Sequence, residues 1–510
     1  MTAATSLNRG RRAAELAAMA AGEVVDVLVV GGGVTGAGVA LDAASRGLSV
    51  CLIEAHDIAF GTSRWSSKLV HGGLRYLAKG EVGLAYESAV ERGVLMTRTA
   101  PHLVRALPQL VALHDSGRRL TEASIMTGLR AGDVMRRIAR TPGTVLPGPR
   151  RVRAREALAL SPGLRRHGLR GGLLSFDGQL VDDARLVLAV ARTAAGLGAK
   201  VLTRVRATAL AGDGAEVRDE VTGTGFGMRA RTVVNSTGVW AGQLVPSVRL
   251  RPSRGSHLVL DAATVGLTST ALTVPVPGEG NRFVLLLPQH DGRVYVGLTD
   301  EAVELPVPDV PEIPPSDVDF LLDVASTVLE RPLRTTDVLG TYAGLRPLVE
   351  TGPGKAVAHS ADLSRRHAIL VSADGVVTVV GGKLTTYRRM ASDAVDAVVR
   401  RGGLAARPSR TARLPLVGAA PREAPLAMDV PRRLAAKYGT EASKVLALGM
   451  PEVISAATGT TAAEVVWAVR HEGALNADDV LDRRTRIGLV EADRAAALPR
   501  VTALVEQTLE

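Results

Sequence analysis

Residues 24–54 read VVDVLVVGGGVTGAGVALDAASRGLSVCLIE. The apolar run 24–30, broken only by Asp26, suits a strand buried on both faces. It leads into Gly31, Gly33 and Gly36, spaced G-x-G-x-x-G, and then into a helix of small residues through Ala44. In that order the first glycine permits a tight turn, the second lets a phosphate approach the backbone, and the third lets helix pack on strand. A pyrophosphate then lies at the helix N-terminus, where free N–H groups and the helix dipole favour an anion. A second apolar strand, 48–53, ends at Glu54, eighteen residues past Gly36. A carboxylate there accepts ribose hydroxyls and repels a 2′-phosphate. Strand, glycine triplet, helix, strand and terminal acid together predict a dinucleotide site in an α/β, doubly wound (Rossmann-like) domain. By contrast, Gly223, Gly225 and Gly227 in TGTGFGMRA precede no helix and read as a hairpin turn.

Two later segments return to the same sheet edge. RTVVNSTGVWA, residues 231–241, is an apolar strand running into Ser236, Thr237 and Gly238, and GVVTVVGGKLTTYRRMASDAV, residues 375–395, is another that passes Gly381 and Gly382 into a helix. Each brings backbone N–H groups or hydroxyls to the carboxyl ends of strands, where doubly wound sheets bind ligands. The chain has no second complete triplet for a nicotinamide cofactor. One cradle with returning strands suits a tightly held flavin, FAD, reoxidised by something other than NAD.

With 510 residues and 46% apolar content, the chain has material for two to four domain-sized units. No uninterrupted apolar segment reaches about 18 residues, so no helix is expected to span a membrane. The first twenty residues lack the apolar core of an export signal and read as a loose arm and short helix. Cys51, the only cysteine, lies in an apolar run; no internal disulfide is possible, and a reducing, cytoplasmic setting fits. A net charge of +11 draws the protein towards anions, with much of the arginine expected on a solvated surface. Aromatic residues at 3% argue against base-stacking platforms, and no nucleic-acid partner is expected. The ten histidines are scattered and no Cys/His cluster has ligand spacing, so no metal is expected.

Five motifs in order give a more specific likeness. VVGGGVTGAGVALDAASRGLSVCLIEAHDIAFGTSRWSSKLVHGGLRYL, GQLVDDARLVLAVA, RGSHLVL, TYAGLRPL and VVGGKLTTYRRMA resemble the FAD-dependent respiratory glycerol-3-phosphate dehydrogenases. The likeness runs from about residue 24 to 389 and continues weakly into a helical region containing VLDRRTRIGL. It implies oxidation of sn-glycerol 3-phosphate to dihydroxyacetone phosphate, with electrons passed to a membrane quinone. It also implies that residues 66–77, SSKLVHGGLRYL, cross the flavin. Thr62, Ser63, Ser66 and Ser67 are then donors for pyrophosphate and flavin oxygens, and Gly72 and Gly73 let backbone lie against a flat ring. Thr237, Gly238, Gly382, Lys383, Leu384 and Thr385 complete the cofactor lining. His71 positions or polarises the flavin, or is simply a structural hydrogen-bonding residue. Arg75 and Tyr76 continue towards substrate.

A phosphorylated secondary alcohol needs cationic donors for its phosphate and an acceptor for its hydroxyl proton. Arginine's planar fork suits phosphate oxygens. Arg346, Arg75 and Arg365 are the candidates, with Lys383 as a further cation. Arg366 competes with Arg365, because this chain reads Ser-Arg-Arg-His where related sequences often read Thr-Arg-Asp-Tyr. His257, on a strand expected to face the substrate, is the leading base, since a neutral imidazole accepts a proton at physiological pH; His71 is the second choice. The catalytic set is therefore His257, Arg346, Lys383 and His71.

The expected architecture is an interleaved body, 24–400, with a C-terminal helical domain. The FAD lobe gathers about 24–100, 180–245 and 365–400. A largely antiparallel substrate lobe gathers about 101–179 and 246–364. A linker, 401–420, leads to a helical cap, 421–510, with polar helix starts such as Asn476. Residues 118–140 combine apolar side chains with a basic face that suits either anionic lipid or a solvated surface, which makes peripheral membrane association an expectation. A homodimer is left open. An oxidase delivering electrons to oxygen shares every motif. An amine-oxidising flavoenzyme leaves phosphate-directed arginines without purpose, and an RNA-acting flavoprotein calls for aromatic residues that are scarce here.

Overall fold

The computed structural model describes residues 2–510 apart from 74–75, 78–79, 116–118, 280–281, 351–365, 422 and 427. Val24–Val30 is the central strand of the first sheet. It pairs in parallel with Gly225–Asn235 on one side and Val50–Glu54 on the other. Val377–Gly381 and Lys200–Thr203 extend the parallel order outward, and His367–Val371 closes one edge antiparallel. Alternation along the central strand explains burial on both faces. Val27 and Val29 enter one core with the helices Val34–Ser45, Asp183–Gly196 and Tyr387–Gly402, while Leu28 and Val30 enter a second with Cys51, Ile53 and Met19. The small residues of Val34–Ser45 allow close helix packing: a Cβ on Gly38 would stand 2.9 Å from the Tyr387 ring. Gly223 lies in the turn joining the antiparallel strands Gly214–Asp219 and Gly225–Asn235, as its sequence suggests.

The second sheet has ten strands and is antiparallel except where Ala271–Pro275 meets Val104–His114. Its longest pairings join Val104–His114 to Leu169–Leu180 and Leu250–Asp261 to Val338–Val349. Helix Pro315–Ser326 follows the Pro-rich loop and buries Leu321, Leu322 and Ala325 in the core under this sheet. Leu69–Val70 belongs to the second sheet, paired with Gln179 and Gly178. The chain therefore leaves the nucleotide sheet after Glu54 and crosses to the other sheet within the clamp segment.

The C-terminal region is mainly helical, with Ala462–Glu472, Ala477–Arg483 and Glu491–Leu509 sharing one core. Asn476 caps its helix, its side-chain oxygen accepting the Asp479 N–H at 2.9 Å, as the polar start predicts. No helix among the described residues is long and apolar enough to cross a membrane.

The expected loose N-terminal arm is corrected. Leu7 exchanges backbone hydrogen bonds with His471 and Gly473, at 3.0 and 2.9 Å. Helix Arg9–Ala20 then lies along the nucleotide sheet. Arg11 donates to the carbonyls of Ala195 and Ala199 at 3.1 Å each, and Arg12 donates to Thr203 O at 2.7 Å and pairs with Asp219. The arm ties the C-terminal helices to the first sheet. Arg12→Ala is expected to lower unfolding stability by about 1–2 kcal/mol, the cost of losing a charged donor to buried acceptors. An unchanged urea midpoint would contradict this docking.

Candidate active site

The cradle is shaped by contacts that only glycine permits. Gly31 has φ +110, and a Cβ there would stand 2.7 Å from Ser236 O; a Cβ on Gly36 would fall 1.8 Å from Gly31 O. The loop and helix are thus folded directly against the strand end carrying Ser236. Ser63 Oγ accepts the Val34 N–H at 2.9 Å, which places its hydroxyl at the mouth of the cradle. Glu54 accepts the N–H groups of Gly32 at 2.6 Å and His56 at 2.9 Å. Burial lifts its carboxyl above the ordinary range, and those two N–H groups hold it partly back. Ser236 Oγ is buried there with no partner among the described residues. Free backbone at a helix start, an acid beside it and an unpaired hydroxyl fit the diphosphate and ribose of FAD.

The clamp segment splits its side chains between two directions. Ser66 turns inward: its N–H and Oγ both donate to Asp183 Oδ2, at 2.9 and 2.7 Å. Thr62 Oγ1 donates to Leu345 O at 2.6 Å. Both hydroxyl protons are directed at protein acceptors in this structure. Ser67 turns the other way and meets His257 Nε2 at 2.8 Å. Beyond it, the His71 N–H donates to Thr385 Oγ1 at 3.3 Å. The Gly72 N–H is shared by both oxygens of Asp177 at 3.2 Å, and Arg92 pairs with the same carboxylate at 2.7 Å. A Cβ on Gly72 would lie 2.3 Å from the Arg92 guanidinium, and Gly73 has φ +77. Lys383 donates to Ser88 Oγ at 2.9 Å and stands 3.6 Å from the centre of the buried Tyr76 ring. Gly382, at φ +72, delivers Lys383 to the turn Leu384–Thr386. Thr237 Oγ1 donates to Asn235 Oδ1 at 2.7 Å just before Gly238, which has φ +63.

His257 is on strand Leu250–Asp261 as expected, but it does not open directly towards a substrate. It is 2% exposed, pressed against Gly297, and stacked on Tyr342 with ring centres 4.6 Å apart. Ser67 stands between its Nε2 and the clamp side. Burial first, then the Lys68 and Arg346 charges, push its pKa down to about 3, so the imidazole is neutral at physiological pH. Arg346 sits across from Ser253 in the paired strand, donating to Thr299 O and pairing with Asp300, both at 3.1 Å. Arg366 is exposed at the start of His367–Val371. Arg75 and Arg365 lie outside the described residues.

Sequence reasoning missed Asp183, Lys68, Asp177, Arg92 and Tyr342. Lys68 is buried, donating to Arg64 O at 2.8 Å and Asp183 at 2.9 Å, with its ammonium 4.8 Å from the Tyr342 ring centre. The available signal was the charged pair Asp182-Asp183 opening a helix that is otherwise largely apolar.

Buried histidines give this fold an acid sensitivity. Burial drives His257 and His102 down to about 3. The unfolded chain takes up protons at these residues below about pH 6.5 while the fold does not, so stability falls with pH. The urea midpoint is expected to drop between pH 7 and pH 5; a flat profile would contradict the burial of these imidazoles.

Comparison with known proteins agrees with this geometry. The model of the family "FAD dependent oxidoreductase" matches residues 26–388, and that of the "C-terminal domain of alpha-glycerophosphate oxidase" matches residues 409–510. Glycerol-3-phosphate dehydrogenase 1 of Mycobacterium tuberculosis is 51% identical over 516 residues, covering 100% of this chain and 99% of the relative. Glycerol-3-phosphate dehydrogenase 2 of Mycobacterium bovis is 37% identical, covering 95% and 84%. Among solved structures, a glycerol-3-phosphate dehydrogenase from Bacillus halodurans complexed with FAD aligns with a TM-score of 0.73 and 26% identity, covering 98% of this chain and 97% of that one. With the FAD cradle and the C-terminal helices both in place, this chain belongs to the glycerol-3-phosphate dehydrogenase family of FAD-dependent oxidoreductases.

Proposed function

We propose that this chain oxidises sn-glycerol 3-phosphate to dihydroxyacetone phosphate and delivers the electrons to a membrane quinone. The observation that carries the chemistry is the contact of 2.8 Å between His257 Nε2 and Ser67 Oγ on the segment that clamps the flavin. Bound FAD supplies the acceptor for a hydride from the substrate's secondary carbon. The hydroxyl proton leaves to Ser67 Oγ as the Ser67 proton passes to His257 Nε2, and a C=O bond forms where the C–H bond breaks. Arg346, close enough to depress that imidazole, and Lys383 supply positive charge for the phosphate and the developing alkoxide. The cradle residues Gly31, Gly33, Gly36, Glu54 and Ser63 hold the diphosphate and ribose, and His71, Gly72 and Gly73 lie along the ring.

A membrane-side acceptor is supported by helix Arg119–Ile138. It packs Ile125, Met126 and Leu129 on the second sheet and leaves Arg130, Val134, Arg137 and Ile138 exposed. Its basic character is narrower than the sequence suggests, because Asp133 pairs with both Arg136 and Arg137 while Glu122 takes Arg151 and Arg170 from outside the helix. The exposed pairs of arginine and aliphatic residues suit the surface of an anionic bilayer at the cytoplasmic face. Enzyme reduced by substrate should recover its flavin absorption faster on mixing with a soluble quinone analogue than with air-saturated buffer. Faster recovery with oxygen would make the chain an oxidase.

A further inference from the structure

We propose that Arg486, contributed by the C-terminal helical region, is a positioning residue for the Ser67–His257 pair and acts through Asp183. The inference rests on the proton-acceptor reading above and extends the reaction's machinery into a part of the chain that carries none of the FAD cradle.

Residues 64–68 are gripped at every position that flanks Ser67. Arg486 Nη1 donates to Arg64 O at 2.9 Å, and its other guanidinium nitrogens pair with Asp182 and Asp183. Asp183 in turn takes the Ser66 N–H, the Ser66 hydroxyl and the Lys68 ammonium. Tyr342, which stacks on His257, donates its hydroxyl to Ser66 O at 3.1 Å. Ser67 sends its side chain away from this grip, to His257. Two carboxylates and two cations, Asp182, Asp183, Lys68 and Arg486, thus form a buried set of balanced charge around the backbone that presents the hydroxyl. Asp183 itself is fixed as the first residue of helix Asp183–Gly196, with Asp182 as the cap. Arg486 reaches the set from a left-handed backbone position, φ +65, at the start of the turn Ile487–Leu489. Its planar fork spans three acceptors in one plane, which lysine cannot do. Removing it leaves a buried carboxylate without its cation and the Arg64 carbonyl without its donor, so the segment carrying Ser67 relaxes. A displacement of about 1 Å in a proton-accepting pair costs on the order of 10²-fold in rate.

The test is a double-mutant cycle in the FAD-loaded, full-length protein, combining Arg486→Gln with Ser67→Ala and following anaerobic flavin reduction by sn-glycerol 3-phosphate. Arg486→Gln alone should slow reduction by about 10²-fold while half-saturation stays within about threefold, since Arg486 lies behind the clamp segment and not on its substrate side. In the Ser67→Ala background the same change should have little further effect, because the group it positions is gone. Hydrogen exchange of the peptide spanning residues 64–70, measured without substrate, should accelerate in Arg486→Gln. Arg486→Lys, which keeps the charge and loses the fork, should fall between the two; it replaces the glutamine variant in the cycle if that variant loses its flavin. Multiplicative losses in the double mutant would overturn the positioning role and leave the proton-acceptor reading standing. A Ser67→Ala enzyme that reduces its flavin at the parent rate would overturn both.

Discussion

Asp183→Asn is expected to lose about 3–5 kcal/mol of unfolding stability, because the change leaves the buried Lys68 without its carboxylate and Arg486 with Asp182 alone. Asp183 is 0% exposed and gathers five donors, including its own helix's Ala184 N–H. Burial works against its charge, but Arg486 and Lys68 win and hold the carboxyl below its ordinary range. A carboxyl held low in the fold contributes its stability above the unfolded pKa, about 3.9, and loses it as pH falls through the folded value. The deficit of the variant should therefore be fullest near pH 6, shrink in acid, where the parent loses the same charge, and shrink again towards pH 8, because burial already holds Lys68 down to about 8 and without Asp183 its ammonium sheds the proton more readily. Urea unfolding at several pH values measures this. A variant within about 1 kcal/mol of the parent at pH 7 would show that the buried charges are satisfied by other groups.

Gly36→Ala is expected to yield protein without flavin. The added methyl carbon would fall 1.8 Å from the Gly31 carbonyl oxygen, a backbone atom that no rotamer change moves aside. Relief requires helix Val34–Ser45 to shift away from the strand, which takes its N-terminus off the diphosphate. Over-packing of this kind costs about 3 kcal/mol, more than a hundredfold in FAD affinity. The flavin-to-protein ratio after purification and fluorescence titration with FAD measure it. Full flavin content would place the dinucleotide elsewhere.

These two residues also mark how far the sequence could be read. Gly36 was legible because its meaning is local: strand, turn and helix lie within about twenty residues, and glycine spacing states the turn geometry directly. The largely antiparallel character of the second sheet followed from similarly local runs, whereas the order of the nucleotide sheet, in which Val24–Val30 pairs with Gly225–Asn235, did not. Asp183 was not legible, because its partner Arg486 is 303 residues away and nothing in either segment encodes the meeting. The same blindness affected the basic balance, expected mostly on the surface. Arg185, Arg192, Arg483, Arg484 and Arg486 are all buried, paired with Glu472, Glu441, Asp57, Asp182 and Asp183. In the sequence Ser66 and Ser67 read as equivalent hydroxyls. These residues lie in a bend that ends at Lys68, φ +57, and the bend turns Ser66 to the buried carboxylate and Ser67 to the imidazole. His257 was found by its place in a strand, but that strand is central and covered, so the histidine reaches the clamp side through Ser67.

The measurement that bears most directly on the account is anaerobic mixing of the FAD-loaded protein with sn-glycerol 3-phosphate, followed at the flavin absorption band, with glycerol as the control. Rapid bleaching by the phosphorylated alcohol is expected, with none by glycerol at equal concentration, and a loss of about 10²-fold or more in rate when Ser67 or His257 is replaced by alanine. Flavin that stays oxidised with sn-glycerol 3-phosphate in a protein of full flavin content would contradict it.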